Sequence, residues 1–214
     1  MTKHDDIVII GITGGIGSGK STIANWIEEE GYKVISSDAI AKEQMRTNEE
    51  LKSKLIDAFG DEIYNENGDL NKTKISDLIF SPIHSKVKKI NQIVHPYAIE
   101  QIVTQLDKLA DEGEKKIFVE SALMYESGMA EGYDYIVTVF TDEEKVIDRV
   151  VARSGLTEEK IRTIMNSQLN PIEKKKLADF TIENNGTLDE LRKAFNALMP
   201  ILKILPPNDS DEEE

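Results

Sequence analysis

Apolar, β-branched residues gather in short unbroken runs at positions 7–12, 33–36, 117–120, 135–140 and 180–182. Runs of this kind, rather than strict alternation, suit strands covered on both faces, so five parallel strands are predicted. Between them the apolar positions change to helical spacing. Ile23, Trp26 and Ile27 precede a stopping Gly31, and Ile99, Ile102, Val103, Leu106 and Ala110 lie along one later helix. Strands alternating with helices argue for βαβ units. Thr141 with Glu144, and Thr187 with Glu190, have the spacing of capping boxes, in which hydroxyl and carboxylate satisfy unpaired backbone donors. From 49 to 94 no strand is evident. Three helical stretches, 51–59, 75–80 and 87–94, are broken by Gly60, Asn67-Gly68 and Pro82, the pattern of a helical insertion beside the sheet.

The junction of the first run and the first helix carries chemistry. Gly14-Gly15-Ile16-Gly17-Ser18-Gly19-Lys20-Ser21 matches G-x-x-x-x-G-K-[ST] between a strand and a helix, the context a phosphate-binding loop requires. Glycines leave no Cβ between backbone amides and phosphate oxygens. Lys20 brings charge to the terminal phosphates, Ser21 offers a hydroxyl to Mg2+, and the helix N-terminus adds its partial positive charge. A Rossmann G-x-G-x-x-G fingerprint fails, because no stretch has that spacing. Guanine recognition lacks support too: Asn71-Lys72-Thr73-Lys74 ends in lysine where an aspartate would read the base, and Asp57-Ala58-Phe59-Gly60 closes a helical pattern, not a strand.

A kinase acting on a small acceptor needs a carboxylate for the acceptor hydroxyl and cations for the transferring charge. Asp38 lies just past the second predicted strand, where parallel sheets place ligands, and two readings stand for it: catalytic base or N-cap of the next helix. Glu120 ends the third run, where an acid can support Mg2+ through water; it can equally cap a helix. Arg149 and Arg153 are one helical turn apart and open a polar stretch, 153–170, with the character of a lid; pairing with Asp142 or Glu158 is the alternative. Pro96 suits the first turn of a helix, which leaves His95 a local packing role as its plain reading.

Composition narrows the classes. With 214 residues the chain is long enough for one α/β domain with insertions. The formal charge of -14 disfavours nucleic acid as a partner, and the absence of cysteine excludes disulfides, thiol nucleophiles and Cys-based zinc sites. The apolar run at 7–10 is too short for a signal peptide or membrane span, so a soluble, cytoplasmic protein without membrane association is expected. The acidic tail, 209–214, reads as solvated.

Taken together, the motifs resemble the dephospho-CoA kinase family over nearly the whole chain. They comprise Thr13 to Thr22, Ser37-Asp38-Ala39-Ile40-Ala41-Lys42, His95-Pro96, Glu120-Ser121-Ala122-Leu123-Met124-Tyr125-Glu126-Ser127-Gly128, Arg149 with Arg153, Gln168, Ala178-Asp179 and Ile182-Glu183-Asn184-Asn185-Gly186. Where many members have Asp-x-Pro-Leu-Leu-Phe-Glu, this chain keeps the outer acids and lacks the proline. Leu70-Asn71-Lys72 stands where many carry arginine after Leu-Asp.

The resemblance implies a three-layer α/β phosphate-loop NTPase fold with a five-stranded parallel sheet and a short lid. The nucleotide-binding core would span 1–47 and 113–208, with a helical acceptor-binding insertion at 48–112. The reaction implied is ATP-dependent phosphorylation of the ribose 3′-hydroxyl of dephospho-CoA, the last step of coenzyme A biosynthesis. Asp38, Lys20 and Arg149 would be catalytic. Gly15, Gly17, Ser18, Gly19, Lys20, Ser21, Thr22, Arg149, Arg153 and Asn184 would hold ATP. Asp38, Lys72, His95 and Glu126 would face the acceptor, and Ser21 and Glu120 would serve Mg2+. Another nucleoside or nucleotide kinase of the same fold, or a non-catalytic nucleotide-binding regulator, are the competing readings. Oligomeric state is not legible.

Overall fold

The computed structural model describes residues 7–79 and 84–208. The acidic tail, Phe80 and the break assigned to Pro82 therefore lie outside the described residues, as does the side chain of Lys72. Five strands, β1 (Val8–Thr13), β2 (Lys33–Ser36), β3 (Lys116–Glu120), β4 (Tyr135–Phe140) and β5 (Phe180–Glu183), form one sheet in the order β2-β3-β1-β4-β5. All pairings are parallel. The strand assignments made from sequence hold within a residue at each end.

Period-2 geometry divides each strand's side chains between two helical layers. Val8, Ile10 and Ile12 of β1 and Phe118 of β3 turn toward α1 (Lys20–Glu29) and α9 (Leu188–Ile204), where Ile23, Ile27, Leu191, Phe195, Met199 and Leu202 complete a closed core. Ile117 and Val119 turn the other way, onto α2 (Ser37–Thr47) and α5 (His84–Asp111), meeting Ile40, Ala98, Ile102 and Leu106. Phe118 is fully buried, and burial of such a side chain is worth roughly 1.5–3 kcal/mol. Gly11 is also fixed by packing: a Cβ there would come within 2.6 Å of Met124 Sδ. Lys116 anchors the far end of the molecule. Its buried ammonium donates to the carbonyls of Leu202, Lys203 and Leu205 at 2.6, 3.1 and 3.0 Å, satisfying the otherwise unpaired end of α9.

The stretch between β2 and β3 is helical, as its pattern predicts: α3 (Glu49–Phe59), α4 (Lys72–Ile79) and α5. Leu51, Leu55, Ile63, Leu78 and Val94 form a separate small core there. The two helical patterns at 87–94 and 99–110 prove to be one helix, α5, and Pro96 lies inside it rather than in a first turn. Proline has no N–H, so the Gln92 carbonyl lacks its intrahelical donor at that point. The only strand-like feature in this region among the described residues is a bridge between Tyr64 and Leu70.

Beyond β4 come α6 (Glu143–Ser154), α7 (Glu158–Asn166) and α8 (Pro171–Leu177). The capping box at Thr187–Glu190 forms. The one expected at Thr141–Glu144 does not, because α6 starts one residue later with Asp142 as N-cap. The buried Thr141 hydroxyl donates instead to the carbonyls of Ser18 and Asn184. No helix among the described residues is long and apolar enough to cross a membrane.

Candidate active site

Parallel register brings the functional residues to one edge. Ile12 of β1 and Ser36 of β2 both pair with Glu120 of β3, so the carboxyl ends of three adjacent strands finish level. The loop following β1 turns directly into α1. Gly19 caps that helix with φ 100, a left-handed conformation natural to glycine, and a Cβ there would lie 2.4 Å from Asn184 Nδ2. Asn184 is buried, and its Nδ2 donates to the Ser18 carbonyl at 2.7 Å. With Thr141 on the same carbonyl, two side chains from outside the loop hold Ser18 in place.

No acidic side chain occupies the first turn of α1, so its partial positive charge is left for an anion. Lys20 is the first residue of α1; its Nζ is 3.7 Å from Glu120 Oε1. The Ser21 hydroxyl donates to the same oxygen at 3.1 Å, and Ser36 donates to Glu120 Oε2 at 3.1 Å. Glu120 is thus a buried carboxylate that orients the loop's cation and hydroxyl, not a helix cap. Ser36, which sequence reasoning missed, also caps α2 by accepting from Ala39 N at 3.4 Å. Asp38 is therefore free of that duty: it sits exposed in the first turn of α2 and lines a cavity.

Two cavities concern the site, one lined by the phosphate loop and one by Asp38. The first, about 330 Å3, is lined by Gly17, Gly19, Thr22, Arg149, Arg153 and Asn184 among others. Arg149 Nη2 donates to the Gly186 carbonyl at 3.1 Å. Of the acids considered as partners for these arginines, Glu158 pairs with Arg162 instead, and Asp142 is the N-cap residue of α6. The second cavity, also about 330 Å3, lies between α2, α5, the segment after β3 and the end of α7. Asp38, Lys42, Met45, Ile90, His95 and Gln168 are among its walls. Burial lowers the His95 pKa below its ordinary 6.5, while the Glu126 carboxylate pulls it the other way.

Glu126 stands among the cavity's supports, not its lining. Its Oε1 accepts from Leu169 N at 2.6 Å and lies 2.9 Å from Lys174 Nζ. Lys174, the second residue that sequence reasoning missed, is buried and also donates to the Ala122 carbonyl at 2.6 Å. Burial lowers its pKa, Glu126 opposes that, and Lys20 adds to the lowering. The pair clasps the segment after β3 to the start of α8.

A phosphate loop ending in lysine and serine, a buried acid behind it, and a second cavity with an exposed aspartate define a phosphate-loop kinase for a small acceptor. The comparisons with known proteins agree and go further. The family model for dephospho-CoA kinase matches residues 8–190. The dephospho-CoA kinase of Geobacillus kaustophilus is 34% identical over 190 residues, covering 89% of this chain and 94% of that one. TT1252 from Thermus thermophilus superposes with a TM-score of 0.73 at 32% identity, covering 92% and 98% of the two chains. The dephospho-CoA kinase from Campylobacter jejuni gives 0.65 at 26% identity, covering 91% and 97%. The chain belongs to the dephospho-CoA kinase family, and is an ATP-dependent phosphotransferase of coenzyme A biosynthesis.

Proposed function

We propose that the protein phosphorylates the ribose 3′-hydroxyl of dephospho-CoA in the cytoplasm, with ATP on the phosphate loop and the acceptor in the cavity lined by Asp38. The observation that carries this reading is a pair of cavities, one bounded by Gly17, Gly19 and Thr22 of the phosphate loop and the other presenting Asp38 together with Ser121, the residue next to Glu120. The helical segment 48–112 would supply the acceptor's side, with His95 in the wall and Lys72 contributing a point charge. The stretch 153–170 would serve as lid.

In this mechanism Asp38 aligns the 3′-hydroxyl and accepts its proton as the new oxygen–phosphorus bond forms. The bond from the γ-phosphorus to the bridging oxygen breaks, and ADP leaves with that electron pair. Lys20 and Arg149 offset the charge carried by the transferring group, while the loop amides, with Ser18 held by Thr141 and Asn184, keep the polyphosphate still. Arg153, Thr22 and Asn184 line the nucleotide's side.

The residues fit Mg2+. The Ser21 hydroxyl and the Glu120 carboxylate give a hard oxygen set beside the phosphate loop. Among the described residues no group of three or more His, Cys, Asp or Glu could cage a metal alone, which suits an ion that keeps waters and phosphate oxygens as ligands. When bound, the ion supplies charge neutralisation on the phosphates. Ser21 and Glu120 would hold it.

The test is purified protein with ATP, Mg2+ and dephospho-CoA, the product identified by mass, alongside Asp38→Asn. Coenzyme A and ADP should appear with the parent. The variant should lose roughly 10²- to 10⁴-fold in kcat with ATP affinity preserved. An unchanged kcat removes Asp38 from the mechanism, and absence of coenzyme A ends the assignment.

A further inference from the structure

Gln168 is the residue that touches both halves of the site. It follows α7, and its Oε1 accepts from Ile16 N of the phosphate loop at 3.0 Å. An amide N–H can be met only by the carbonyl end of a carboxamide, so the identity of the two ends is fixed chemically. The NH2 end then diverges from the Ile16 bond and cannot share it. Gln168 lines the cavity that contains Asp38 and also the smaller one beneath the phosphate loop with Gly15, Ile16 and Ser18. Its Nε2 makes no hydrogen bond with another described residue, so a residue lining the cavity that contains Asp38 keeps a free donor.

Ile16 reinforces the link. Its side chain packs against Val146, Ile147, Val150 and Ile161, with Leu156 and Met165 beside them. One loop residue thus holds the 153–170 stretch twice, through its side chain and through its amide. An occupied phosphate loop would hold Gln168 through Ile16 N, and an acceptor hydrogen-bonded to Gln168 would favour the same placement of the carboxamide. Differential contact of this kind is what coupling between two sites requires.

We propose that Gln168 is a positioning residue that couples the two substrates, its carboxamide oxygen on the phosphate loop and its NH2 on a hydroxyl or phosphate oxygen of the acceptor. This rests on the assignment of the acceptor to dephospho-CoA. The consequence is synergy: each substrate binds more tightly when the other is present, by the same factor.

Calorimetric titration of dephospho-CoA, with and without a non-hydrolysable ATP analogue, reads that factor directly. In the parent it should be about 5- to 50-fold, within the usual span of such couplings. In Gln168→Leu it should fall close to 1, with the acceptor KM at saturating ATP rising by the lost factor and kcat changing less. Gln168→Glu has no NH2 and should lose the synergy as well, and it serves if the leucine variant is poorly folded. A coupling factor near 1 in the parent, or one retained in either folded variant, overturns the proposal. Failure of the parent to make coenzyme A would instead strike the acceptor assignment, so the two failures are separable.

Discussion

The cleft bounded by the phosphate loop and the cavity lined by Asp38, proposed to take the nucleotide and the acceptor, are built from different materials. The cleft is bounded by glycines, backbone and arginines, held by side chains such as Asn184 that grip the loop from behind. The other cavity has apolar side chains of α2 and α5 in its walls, among them Met45, Ile90 and Val94, interspersed with polar groups that include Asp38, Lys42, His95 and Gln168. On the proposed assignment, one region would read charge through main chain fixed by turn geometry. The other would read shape through packing, and its form depends on a core that lies behind it.

The sharpest way to separate them is to remove the cleft's cation. Lys20→Ala should lower kcat by about 10³-fold, equivalent to about 4 kcal/mol of transition-state stabilisation, while dephospho-CoA binding measured by calorimetry stays near the parent value. A large loss of acceptor affinity would show that the two regions are not distinct in this way. Next in size is the core behind the cavity. Leu55 is fully buried in the cluster that also contains Val94, with Met45, Ile75 and Ile90 packed against it, and the last four also line the cavity. Leu55→Ala should cost on the order of 2–5 kcal/mol in chemical denaturation, and raise the acceptor KM with that for ATP unchanged.

The smallest effect is the pH response of His95. Its folded-state pKa is lowered by burial, so the unfolded chain binds the proton more readily. The stability this gives is fully present above the ordinary value of 6.5 and declines as pH falls through that value toward the lowered one. Tm should therefore show a shallow decline below about 6.5 that His95→Gln flattens. A parent curve that rises on acidification would reverse the sign and remove burial as the cause.

The same contrast explains what could be read from the chain. The phosphate loop is contiguous, and each of its residue types is demanded by local chemistry, so strand, loop and helix announce themselves together. Glu120 was visible as a strand-end acid, but its partnership with Ser36 comes from strand register, which joins residues 84 positions apart. Lys174 sits in the run Lys174-Lys175-Lys176, where sequence alone does not single out one lysine. Only the phase of α8, set by its start at Pro171, decides which lysine turns inward. Thr141 departs from its expected capping box because its hydroxyl donates to tertiary carbonyls that local spacing does not reveal. Pro96 misled for a related reason: propensity places proline at a helix start, whereas packing on both sides carries α5 through it.

The three carbonyls gathered by Lys116 have a consequence for synthesis on the ribosome. The cluster of Leu51, Leu55, Ile63, Leu78 and Val94 needs only the middle of the polypeptide, and can assemble while translation continues. The layer over β1 needs Leu191, Phe195, Met199 and Leu202, and its lysine latch closes on residues as late as Leu205. The nascent chain would thus carry an early-settling middle and an open sheet face until α9 emerges from the exit tunnel.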